Sequence, residues 1–170
     1  STTLASSSGG GQSETTTSTA ADSDPSAGSN PDHPRTDVSH ATVVVGDQVF
    51  LFAQVDADGN FDENGDCDPE FFGVQFRAIL ARVDEQGNRI VLEDTGNGLL
   101  YQGATFGFTD AGPQEGFVEM PDFWSANTAA GTGWVDTVTI DGNRAAGTAS
   151  FVVGDAAETT DGTFEVTCVN

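Results

Sequence analysis

From Ala41 to its end the chain alternates between short apolar runs and turns rich in glycine, aspartate and asparagine. Residues 42–45 are one such run, and Gly46-Asp47 turns it back. In residues 48–55, Val49, Leu51, Ala53 and Val55 fall on one face, with Phe50 and Phe52 on the opposite face. Residues 74–83 place Val74, Phe76, Ala78 and Leu80 together. Glu85-Gln86-Gly87-Asn88 turns into a strand at 89–93, and Asn97-Gly98 turns into one at 99–109. Residues 134–140 put Trp134, Asp136, Val138 and Ile140 on one side, and Asp141-Gly142 is a hairpin signal into 145–153. Residues 163–168 align Phe164, Val166 and Cys168, so Cys168 is expected to point inward. No stretch has helical periodicity. The pattern predicts about seven to nine short strands in an all-β, antiparallel β-sandwich, immunoglobulin-like or jelly-roll-like. Residues 110–133, with Pro113 and Pro121, are expected to form a long loop.

The first 36 residues are of another kind. Half of the first 30 are Ser or Thr, and Gly9-Gly10-Gly11 and Pro25 add flexibility. Such a segment buries too little apolar area to fold alone. It reads as an extended tail or stalk, 1–36, ahead of a sandwich domain at 37–170. Thr2-Thr3-Leu4-Ala5 is the stretch of the early tail with β character. Leu4 is therefore a candidate contact if the tail adds as a strand to a neighbouring subunit.

Charge narrows the setting. There are 27 Asp and Glu against 5 Arg, no Lys, and a net charge of −22. Self-repulsion of that size opposes a compact state in dilute buffer. At molar salt the Debye length falls to about 3 Å and the repulsion is screened. A carboxylate-rich chain without lysine therefore suits brine. Nucleic acid and anionic membrane surfaces are poor partners, because both need clustered cations. No run approaches the roughly 18 apolar residues of a membrane-spanning helix. The start at Ser1 leaves two readings open: a cleaved leader with a lipid anchor upstream, or removal of Met alone.

Cys67 and Cys168 stand 101 residues apart and read as one disulfide in a chain that looks secreted. Next to Cys67, the segment 58–68 reads N-x-D-x-N-G-x-x-D from Asn60 and resembles the calcium loops of dockerins and related repeats. Calcium takes about six to eight oxygens, which alternate side chains around a glycine turn supply. Asn60, Asp62, Asn64 and Asp68 are the candidate ligands, with calcium the one candidate cofactor. A solvated acidic turn is the alternative, and an EF-hand is disfavoured because Phe71 stands where its bidentate Glu belongs. No enzyme signature is present: no nucleophile elbow, no zinc-binding HExxH and no phosphate loop. The two histidines, His33 and His40, both precede the expected core.

Residues 43–51, Val-Val-Val-Gly-Asp-Gln-Val-Phe-Leu, resemble the opening of many secreted immunoglobulin-like domains. The closing Gly147-Thr148-Ala149 and Phe164-Glu165-Val166-Thr167-Cys168 are similar to the ends of small surface lipoprotein domains, in which a stalk precedes a β-sandwich. The resemblance implies fold and an extracellular, cell-surface location, and implies no activity. Phe50 and Phe52 on a face expected to be wet, and Phe123 and Trp124 in an aromatic loop, suggest surfaces held by neighbours. The expected function is thus a non-enzymatic, self-associating subunit of an extracellular assembly (filament, surface layer or envelope) of a halophilic archaeon. A lipid-anchored monomeric binding module and a coat or spike component of a halophilic virus are the alternatives.

Overall fold

In the computed structural model, which describes residues 32–71, 75–90, 103–121 and 124–169, the apolar alternation is expressed as ten antiparallel strands. They are β1 (His40–Val45), β2 (Gln48–Ala53), β3 (Asp66–Asp68), β4 (Phe76–Val83), β5 (Gly103–Phe108), β6 (Phe117–Glu119), β7 (Trp124–Asn127), β8 (Trp134–Asp141), β9 (Arg144–Val153) and β10 (Thr160–Thr167). A short 3-10 turn at Pro113–Glu115 leads into β6.

The expected β-sandwich is overturned by the pairing of β10. One edge of β10 pairs with β1 from Thr167↔His40 to Gly162↔Val45. Its other edge pairs with β9 from Thr160↔Phe151 to Thr167↔Arg144. The circuit β10-β1-β2-β4-β5-β6-β7-β9 thus returns to its start as a closed eight-stranded barrel. Two strands lie outside it. β3 continues the edge of β4 that β2 uses: β2 pairs with residues 81–83 and β3 with residues 77–79. In the same way β7 takes Val152 and Val153 of β9, and β8 takes the rest of that edge. Alternation along a strand reads the same in a sandwich and in a barrel, so only the pairing separates them. β6 and β7 also show that 110–133 is more structured than a long loop.

Eight strands leave an interior just wide enough for side chains to fill. Phe52, Phe76, Phe106, Phe108, Phe151 and Phe164 fill it, each at most 1 % exposed. Phe108 stacks on Phe164 at 4.9 Å between centroids, and Phe52 meets Phe106 edge-on at 6.2 Å. Small residues opposite them make the room. Gly147 faces Phe164 across the β9–β10 pair, and a Cβ there would strike the Phe164 ring and the Thr137 carbonyl.

β2 is apolar on both faces, with the assignment reversed from the expectation. Phe50 and Phe52 point into the barrel. Leu51 and Ala53 face outward, where Val38, Val55 and Val83 cover them in a second small cluster. The cover is therefore intramolecular. Cys67 on β3 and Cys168 just past β10 form a disulfide, with Cα atoms 5.3 Å apart. The end of the chain is held further by Asn143 Nδ2, which donates to the Cys168 carbonyl, and by the Val169 N–H, which donates to Ser39 Oγ. No described helix is long and apolar enough to cross a membrane.

Replacing both cysteines with Ser releases a loop of 101 residues. In the chain-entropy account this lowers stability by about 4–5 kcal/mol. Urea midpoints measured in molar salt check it. A double variant as stable as the parent would show that β10 pairing alone fixes that end of the barrel.

Candidate functional site

Carboxylates of the acidic segment 56–70 are bonded to its own backbone. Asp56 Oδ1 accepts the N–H groups of Asp58 and Asn60, each at 2.9 Å. Asp62 Oδ1 accepts both the backbone N–H and the side-chain amide of Asn64. Asp68 Oδ1 accepts the N–H of Glu70. These are Asx turns, in which an aspartate mimics a backbone turn. Asp62 Oδ2 also lies 3.8 Å from Arg89 Nη1. Of the four expected calcium ligands, Asp62 and Asn64 bond to each other, while Asn60 and Asp68 serve separate turns. Among the described residues no group of three or more His, Cys, Asp or Glu side chains is placed to hold a metal ion.

Two of the expected interface residues belong to the core. Phe50 is 3 % exposed and Phe52 is fully buried, so neither presents a surface to a neighbour. Hydrophobicity alternates on β2 without a polar partner face, and the sequence alone gives no sign as to which set points inward. Trp124 is half-buried against the same core. Leu4 and Phe123 lie outside the described residues.

Residues 32–38 form a strap over β1 and β2. His33 stacks on His40 with ring centroids 4.8 Å apart. Its Nε2 is buried without a hydrogen-bond partner. Burial, then the neighbouring His40, pull the His33 pKa down to about 4, against the carbonyls of Arg35, Phe52 and Ala41, which act to raise it. Arg35 fastens the strap: Nε and Nη2 donate to both oxygens of Asp37, and Nη1 donates to the Gly59 carbonyl at 2.8 Å.

Farther along β1 from the strap, the outer face that runs across β10, β9 and β8 is left open. A β-bulge between Val135 and Thr137 inserts Asp136 into β8. Such an insertion re-aims the side chains that follow it. Val135, Val138 and Ile140 turn toward the core, and Trp134, Asp136 and Thr137 turn outward. The sequence reading had grouped Trp134 and Asp136 with Val138 and Ile140; the added residue breaks that parity. Trp134 is 44 % exposed. Its indole N–H donates to Asp136 Oδ1 at 2.7 Å, and Ser150 Oγ donates to Asp136 Oδ2 at 3.0 Å. Register places Trp134, Ser150 and Asp161 in one row across β8, β9 and β10. Thr137, Thr148, Thr163 and Val44 form the next row. The Thr137 and Thr148 hydroxyls meet at 2.8 Å. A groove of about 500 Å³ lies on this face, with Asp136, Thr148, Ser150, Asp161, Gly162 and Thr163 in its wall.

That arrangement sets a fixed, exposed indole at the margin of the groove, tied to its wall through Asp136; the wall combines hydroxyls and carboxylates with Val44 and Ala149. The sequence carries a trace of it, a Trp and an Asp two apart beside the Asp141-Gly142 hairpin. The bulge that gives it meaning depends on pairing with β9 and has no sequence signature. A second cavity, of about 740 Å³, lies between the 54–65 segment and β4. Its rim runs to Ile90 and Gly103, which flank residues outside the described set. No protein-family model, curated protein or solved structure matches the chain.

The strap supplies a pH dependence. His33 is held neutral in the fold, whereas the unfolded chain binds its proton near the ordinary value of 6.5. The stability it contributes is therefore complete above about pH 6.5 and is lost as pH falls toward 4. Thermal midpoints of the parent and His33→Gln across that window check this. The parent is expected to lose more stability than the variant, and parallel curves would place His33 in water.

Proposed function

We propose that the chain is a non-enzymatic binding module, displayed outside a halophilic archaeal cell on its Ser/Thr-rich tail. It engages its target through the outer face of β8, β9 and β10. The observation that carries this reading is the Trp134 indole, exposed on an open face and held by Asp136. Large aromatic side chains normally bury their area, and one fixed in water beside a polar groove suits recognition. The disulfide fits an oxidising compartment. The charge of −22 with no lysine fits brine.

The assembly reading loses one of its supports, because Phe50 and Phe52 are used inside the chain. The large apolar side chains that remain exposed among the described residues, Val49, Phe61, Trp134, Val153 and Val169, sit singly on different elements. One feature still favours assembly. β8 lies outside the barrel, and among the described residues no strand pairs with its second edge. Unpaired edges template strand addition.

Sedimentation velocity of the full chain in molar NaCl separates the two. The module reading expects a monomer, and a discrete oligomer or filament would overturn it. The brine reading expects the thermal midpoint to climb steadily from about 0.1 M to 3 M NaCl, as screening shortens the Debye length from about 10 Å to below 3 Å. A midpoint indifferent to salt would remove the halophilic part.

A further inference from the structure

We propose that the outer face of β8–β9–β10 binds a neutral glycan, with one pyranose ring stacked on Trp134 at the margin of the groove and the chain running over Asp136 into the groove, where hydroxyls bond to Asp136 and the neighbouring threonines. This rests on the binding-module reading and names its ligand class.

The indole carries the first part of the argument. Its N–H is already donated to Asp136. What it offers a ligand is its π face, which is electron-rich and attracts the weakly positive C–H groups on the flat side of a sugar ring. Because the N–H bond fixes the ring, little rotamer freedom is lost on stacking. Asp136 supplies the second part. Each carboxylate oxygen accepts one bond, from Trp134 or from Ser150. A carboxylate oxygen accepts more than one, so both retain capacity for a sugar hydroxyl. Thr148, Thr163 and Asp161 line the same groove, and hydroxyls both donate and accept there. Its volume of about 500 Å³ lies within the roughly 300–1,000 Å³ typical of small-ligand sites.

Charge selects among glycans. The groove wall includes Asp136 and Asp161 and no cation, and the chain has no lysine. Sulfate and uronate groups seated in the groove would meet Asp136 and Asp161 at contact distance, where molar salt does not screen the repulsion. A neutral sugar meets no such penalty. Its stacking and hydrogen bonds also survive molar salt, where ion pairing is screened within about 3 Å.

The test uses the full chain in molar NaCl, in a Trp124→Phe background that leaves Trp134 as the reporting indole. Neutral oligosaccharides (gluco-, manno- and galacto-configured) and oligogalacturonate are titrated against tryptophan fluorescence, with calorimetry in parallel. At least one neutral oligosaccharide is expected to change the fluorescence, and oligogalacturonate is expected not to. Trp134→Ala should weaken binding by about tenfold or more. Asp136→Ala should weaken it as well and release the indole, which lowers the fluorescence anisotropy. Trp134→Ala should unfold at the parent temperature, since its side chain lies outside the core, and Asp136→Ala should stay folded at a slightly lower one, since it loses the bonds accepted from Trp134 and Ser150. Should no neutral sugar bind a folded monomer up to millimolar concentration, the glycan assignment falls and the module reading stands. Sugar binding unaffected by Trp134→Ala would also overturn the assignment. An oligomer in sedimentation would overturn the module reading instead.

Discussion

Everything in this molecule depends on the double pairing of β10. The strand comes last among the ten, yet both of its edges are used along nearly its whole length. Pairing with β1 joins the two ends of the chain's core, which costs the closure of a loop of more than 100 residues before any bond is gained. The cost is met by burial of Phe164 and Val166 among the phenylalanines of β4, β5 and β9. Closure also removes the open sheet edges that a sandwich would have left, and among the described residues the edges that stay unpaired belong to β3 and β8, the two strands outside the barrel.

The same closure divides the surface. The strap 32–38 lies over β1 and β2, held by Arg35, and covers Leu51 and Ala53 with Val38. Four residues along β1 from His40, the outer faces of Val44, Thr163 and Thr148 lie beyond it. Residues 32–38 are also where the Ser/Thr-rich tail arrives. None of residues 32–38 enters the wall of the groove on β8–β10.

How much of this was legible followed from what alternation encodes. Phe76, Ala78 and Leu80 on β4, and Phe164 and Val166 on β10 with Cys168 just past it, are buried as the alternation predicts, and Val74 lies outside the described residues. On β2 both faces are apolar, so the pattern could not say that Phe50 and Phe52 point inward while Val49 stays exposed. β6 and β7, at three and four residues, are too short to show a period. Barrel closure was invisible for a different reason. It is a fact about which strands meet, and each strand of a sandwich carries the same alternation. The partner of Cys67 was readable because only one other cysteine exists.

The bulge in β8 shows why the candidate site lay beyond such reading. One inserted residue reverses the facing of everything before it. With regular pairing, Trp134 would share the inward side of Val138 and Ile140 and would be one more core aromatic. With Asp136 inserted, the inward side passes to Val135, and the largest side chain of the strand goes to water. Such an exchange forfeits the burial of an aromatic ring, worth several times the roughly 1 kcal/mol of a typical hydrogen bond. The bonds that Asp136 accepts from Trp134 and Ser150 recover part of that loss, and they hold the indole in one orientation. A fold selected for stability alone would keep Trp134 inside. The exposed and oriented ring is the observation on which the proposed binding surface rests.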